Sequence, residues 1–131
     1  MATIEEALKA YIEAQVTAAG KGYPREVPVD AAFPAWSYQV VSDDEMLSHG
    51  GRTGFAKARI QCNFLAKETS SLSDYSIIKS IATTARNALD GYQGSMSGVQ
   101  VDYCKTELSD DWADVHELPV QRFDVILHYH R

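Results

Sequence analysis

Little in this chain of 131 residues could staple it or anchor it. It has two cysteines, Cys62 and Cys104. Each lies in a strand-like run with apolar neighbours, which reads as two reduced, buried thiols; a disulfide would require those strands to be neighbours. No apolar run approaches the ~20 residues that span a bilayer. The opening MATIEEALKAYIEAQV is acidic and lacks the apolar centre of a secretory signal. The expectation is a chain made in the cytoplasm that works without a membrane. Basic residues are also scarce, twelve Lys and Arg against eighteen Asp and Glu, for a net charge of −6. Sequence-blind nucleic-acid binding depends on a Lys/Arg footprint that displaces counterions. A general nucleic-acid binder is therefore disfavoured, although a local basic stripe is not. Of the four prolines, three fall in YPREVPVDAAFPA, residues 23–35. That stretch reads as an extended, irregular connection and not a helix.

What is present suits one domain, residues 1–131, with one core. Thr3 and Glu6 form a capping-box pattern that opens a helix over 4–19. Its apolar face holds Ile4, Leu8, Tyr11 and Ile12, and Gly20, Gly22 and Pro24 follow it. WSYQVVS, residues 36–42, reads as a strand and 43–54 as a polar loop with a turn at Gly50-Gly51. Residues 55–67 alternate, with Ala56, Ala58, Ile60, Cys62, Phe64 and Ala66 on one face and Lys57, Arg59, Gln61 and Asn63 on the other. A second helix runs from about 71 or 73 to 90, its stripe made by Tyr75, Ile78, Ile81, Ala82, Ala85, Ala88 and Leu89. Gly91 stands where a helix-ending glycine belongs. A strand over 99–107 puts Val99, Val101 and Tyr103 on one side. An acidic loop or helical turn spans 108–118. A last strand, 119–129, aligns Gln121, Phe123, Val125, Leu127 and Tyr129. The order predicts a two-layer α+β sandwich: a mainly antiparallel sheet of about four to five strands with two helices packed on one face.

Candidate chemistry is thin. His128 and His130 share one strand face and could hold a metal only with a third ligand such as Asp124 or His116; a solvated strand end is the simpler reading. Ser76 and Lys79 match a Ser-x-x-Lys pair without its companion motifs. GGRTG, residues 50–54, has a strand after it where a phosphate loop needs a helix, so it reads as a hairpin tip. Asp110, Asp111 and Asp114 around Trp112 read as a solvated acidic loop. No nucleophile, base and orienting partner come together, so no enzyme, cofactor or metal is expected. Aromatic residues placed near loops, Phe33, Trp36, Tyr92 and Trp112, could anchor contacts or plug the core.

The order and spacing of IEEALKAYI, AWSYQVVS, GFAKARIQCNFLAKE, ARNALDGYQG, VQVDYCKTEL and QRFDVILHYHR resemble the phage tail-completion family, the tail terminators or tail-to-head joining proteins of long-tailed phages. The helix end Leu89-Asp90-Gly91-Tyr92 with Gly94 is the most recognisable piece. The resemblance implies a structural virion protein without catalytic residues, found in the tail at its head-proximal end. It implies a ring, typically a hexamer, that caps the tail tube, ends tube polymerisation and docks the head connector or stopper protein. Genomic DNA would pass through without specific binding, which suits an acidic subunit. Trp36, Met46, Leu47, Arg52, Lys57, Arg59, Tyr92 and Trp112 are the candidate contacts with other subunits or partners. A different connector or tube component, or a small ligand-binding α+β domain, are the alternatives.

Overall fold

The structure is a computed structural model that describes residues 3–16, 20–25, 35–65, 72–108, 112–113 and 119–130. The capping box forms as the sequence predicts: Glu6 N–H donates to Thr3 Oγ1 (3.2 Å) and Thr3 N–H to Glu6 Oε2 (3.3 Å). It starts α1, Ile4–Gln15, which buries Ile4, Ala7, Leu8 and Ile12. Ala7 is thus a core residue as well as a helix former. The helix closes earlier than expected, with Val16 N–H donating to Ile12 O (2.8 Å); residues 17–19 lie outside the described part.

The strands are β1 (Gly22–Pro24), β2 (Ala35–Ser48), β3 (Gly51–Leu65), β4 (Gly94–Met96), β5 (Val99–Leu108), β6 (Trp112–Ala113) and β7 (Pro119–His130), with α2 (Leu72–Leu89) between β3 and β4. They form one mixed sheet of seven strands in the order β1-β2-β3-β7-β5-β4, with β6 paired to β7. β1 runs parallel to β2, and the other pairs are antiparallel. This corrects the expected mainly antiparallel sheet of about four to five strands. The extra strands are two or three residues long, too short to display alternation. The supposed loop over 43–54 is also mostly strand. β2 and β3 make one long hairpin that turns at His49-Gly50. Its DDE run was read as loop because it is polar, yet Asp44 sits across from Lys57 in the ladder.

One hydrophobic core lies between the inner sheet face and both helices. Gln121, Phe123, Val125, Leu127 and Tyr129 all point into it, as the alternation requires. On β2 and β3, Trp36 stacks on Phe64 (5.5 Å) and Phe64 on Phe123 (5.3 Å). The other end of β3 is thin. Ala56 and Ala58 leave room for Tyr129, whose hydroxyl donates to Asp43 on β2 (2.6 Å). Cys62 and Cys104 are free and buried, on β3 and β5, which β7 separates. Burial raises both thiols, Cys104 to about 12, so neither is a ready thiolate.

The sequence Leu-Asp-Gly-Tyr laces the end of α2 to β5. Gly91, at φ 79°, turns the chain so that its N–H donates to Cys104 O (2.7 Å). Asp90 Oδ1 accepts the N–H (2.7 Å) and the hydroxyl (2.8 Å) of Thr106. This fills hydrogen-bonding positions along β5 that β4 is too short to reach.

Glu13 performs the equivalent task at β1. Its carboxylate accepts Gly22 N–H (3.0 Å) and pairs with Lys9 (2.9 Å). Burial alone would raise its pKa, but the Gly22 hydrogen bond and the charges of Lys9 and Lys21 outweigh it and the net direction is down. A folded pKa below the unfolded one gives stability that is present above the unfolded carboxylate range and lost as pH falls through the folded value. Glu13→Gln should therefore lower the urea midpoint at pH 7, by about 1 kcal/mol or less. That difference from wild type should close as pH falls through the folded Glu13 value and the carboxylate is protonated in both states; a gap that stays the same from pH 7 into acid would contradict the assignment.

Candidate functional site

On the outer face of the sheet, opposite the helices, strand pairing sets side chains in register. Alternation sends Phe55, Lys57, Arg59, Gln61 and Asn63 outward from β3, and Arg122, Asp124, Ile126, His128 and His130 outward from β7. On β5 a bulge changes the phase. Val101 pairs with Tyr129, but the next pair is Tyr103 with His128. The extra residue turns Tyr103 out and Cys104 in. The expected alternation of Val99, Val101 and Tyr103 on one side is therefore wrong at Tyr103.

Cross-strand pairing arranges these residues in rows. Phe55 lies beside His130. Next come Asp44, Lys57, His128 and Tyr103. Ser42, Arg59, Ile126 and Lys105 follow, and then Gln39, Gln61, Asp124 and Glu107. Two chemistries divide the face. At its centre Arg59 bridges Asp124 (2.6 Å) and Glu107 (3.1 Å), and Lys105 lies 3.4 Å from Glu107. The hydrogen bonds to Asp124 and Glu107 raise the Arg59 pKa, and Arg59 in turn lowers that of Glu107. Ile126 faces outward yet is only 5% exposed. Its register partners are Arg59 and Lys105, whose long stems can roof it while their charged ends stay wet. The end of the face near the C-terminus of β7 is aromatic. Phe55 packs on His130 (4.4 Å), His130 pairs with Asp102 (2.8 Å), and Tyr103 lies 6.1 Å from His128.

Among the described residues the exposed large hydrophobic side chains are Val41 (57%), Phe55 (46%) and Tyr103 (45%). All three are on strands, with Val41 at a bulge of β2. The outer rows also balance their charges. Lys57, Arg59, Lys105 and Arg122 match Asp44, Asp102, Asp124 and Glu107, so the net −6 resides elsewhere on the chain.

The structure sorts the predicted contact residues. Lys57 and Arg59 belong to the outer face, Lys57 exposed and Arg59 tied into the ion network. Trp36 is 0% exposed and is a core residue, not a surface anchor; its indole N–H donates to Gly20 O (3.3 Å). Tyr92 is half-buried. It packs on Tyr11 (4.7 Å) and donates to Ser95 O (2.6 Å). The backbone of Met46, Leu47 and Arg52 lies near the tip of the β2–β3 hairpin and that of Trp112 in β6; their side chains lie outside the described part. Phe33, Asp110, Asp111, Asp114 and His116 fall outside the described residues, as does the Ser76 side chain. Among the described residues no group of three or more His, Cys, Asp or Glu is placed to hold a metal ion. Sequence reasoning did not single out Phe55 and Tyr103. The signal for Phe55 was available, since it shares the parity of Lys57 and Arg59. Nothing in the sequence announced the bulge that exposes Tyr103.

No protein-family model matches the chain, and no curated protein matches it in sequence. Among solved structures it is similar to a chain from a structure described as "Virion of native gene transfer agent (GTA) particle". The correspondence covers 100% of both chains with a TM-score of 0.62 at 12% sequence identity. The two share a fold from end to end.

Proposed function

We propose that this chain is a structural subunit of a virion, and within that class a tail-completion protein. The observation that carries the reading is the end-to-end fold correspondence with a chain of a virion particle. The order of its sequence segments, including the Leu89-Gly94 helix end, supports the finer assignment. Copies of the chain form a ring, a hexamer, on the head-proximal end of the tail tube. The ring stops addition of tube protein and presents the surface to which the head connector or stopper docks. Genomic DNA passes through it without specific binding, and the acidic excess of the chain keeps phosphate affinity low. The work is positional, and no bond-making step is assigned to any residue.

Deleting the gene in a particle-producing cell tests this reading. Electron microscopy should show filled heads without joined tails, or tails of uncontrolled length. Particles with normal heads joined to tails of normal length would overturn it.

A further inference from the structure

The sequence contains one Asp-Gly step, Asp90-Gly91, at the end of α2. In a relaxed chain such a step isomerises on its own, because glycine has no side chain to keep its backbone nitrogen away from the preceding carboxyl. The Gly91 nitrogen gives up its proton and bonds to Asp90 Cγ, and the protonated carboxyl releases one oxygen as water, which closes a succinimide ring. Water then opens that ring at the main-chain carbonyl of Asp90. The chain afterwards runs through Cβ, one methylene longer, and the free carboxylate sits on the α-carbon. The water released in the first step is returned in the second, so no oxidant or co-reactant is consumed. We propose that Asp90-Gly91 is a latent isomerisation site that the attachment of α2 to β5 holds closed.

Both reacting groups are engaged with β5. The nucleophile, Gly91 N–H, donates to Cys104 O at 2.7 Å. It is aimed there by a backbone at φ 79°, a conformation that glycine adopts freely. The electrophile is held as well. Asp90 Oδ1 accepts the N–H (2.7 Å) and the hydroxyl (2.8 Å) of Thr106, and Arg86 Nε donates to the same hydroxyl oxygen (3.0 Å). On either side, Asp90 N–H donates to Arg86 O (2.8 Å) and Tyr92 N–H to Leu89 O (3.0 Å), which fixes the backbone. Cyclisation requires Cγ and the Gly91 nitrogen to turn toward each other, and that movement breaks the bonds to Cys104 and Thr106. Solvent exclusion is not the barrier, since Asp90 and Gly91 are exposed. The rate therefore follows the fraction of molecules in which the end of α2 has opened locally. Isomerisation would also be structurally one-way. The displaced carboxylate would no longer reach Thr106, and β5 would regain an open edge of the kind that pairs with other chains.

Incubating the purified chain at mildly acidic pH, folded or unfolded in guanidinium chloride, tests the site. Isoaspartate is read in the tryptic fragment 87–105, bounded by Arg86 and Lys105. Electron-transfer fragmentation then assigns it to Asp90 or to Asp102. Folded wild type should form isoaspartate at Asp90 about tenfold more slowly than the unfolded chain, or slower still. Thr106→Val keeps the branched shape and loses the hydroxyl. When folded it should isomerise roughly threefold faster than folded wild type, or more; when unfolded the two should match. Equal rates in folded and unfolded wild type would overturn the proposal, whether or not the variant folds. A folded Thr106→Val chain no faster than wild type would overturn it as well.

Discussion

Truncating Phe123 to alanine is expected to cost about 3–5 kcal/mol of folding stability. Phe123 is fully buried at the middle of the seven strands. It stands opposite Cys62 on β3 and Leu108 on β5, and its ring stacks on Phe64 at 5.3 Å. The cavity would open where three strands and the helical layer meet, and neither β3 nor β5 can close it without breaking register with β7. Urea unfolding of the purified chain reads the loss as a lower midpoint with an unchanged slope. A loss below about 1 kcal/mol would mean that the inner and outer faces of β7 are exchanged.

Trp36→Ala is expected to cost a similar ~3–5 kcal/mol. The indole is wholly buried against Tyr38 and Phe64. It also occupies the space above Gly22, where an added Cβ would lie 2.6 Å from a ring carbon. Gly22 is thus small because the tryptophan needs the room, and Gly22→Ala should itself cost about 1–3 kcal/mol by pushing the ring out of place. The pair of variants separates two roles for Trp36. A core residue loses stability in both, measured on the isolated chain. A surface anchor would leave the unfolding midpoint unchanged in Trp36→Ala and lose only assembly, which would contradict the buried placement.

Periodicity carried most of the long elements. The alternation of 55–65 and 121–129 placed the core face of β3 and β7 residue by residue, and Thr3 with Glu6 marked the start of α1. What escaped has physical causes. β1 owes its pairing to contacts with residues 36–38 across a proline-bearing link, and a three-residue strand has no period to detect. The polar stretch 43–48 is strand because the hairpin gives its backbone a partner, and such pairing overrides polarity. Trp36 looked available because it stands first in an aromatic run, while its covering partner Gly22 is fourteen residues earlier. Tyr103 looked buried because a bulge one residue before it cannot be seen in the sequence. The outer sheet face was legible in its cations, Lys57 and Arg59, and hidden in its aromatic part, since the rings become neighbours only when β3, β7 and β5 are brought into register.

The claim that the chain closes the head-proximal end of a tail is tested most directly by locating it in purified particles with a gold-labelled antibody, alongside its copy number by quantitative mass spectrometry. The expected result is label at the head–tail junction alone, with copies sufficient for one ring per particle. Label spread along the tube, or particles that lack the chain altogether, would contradict it.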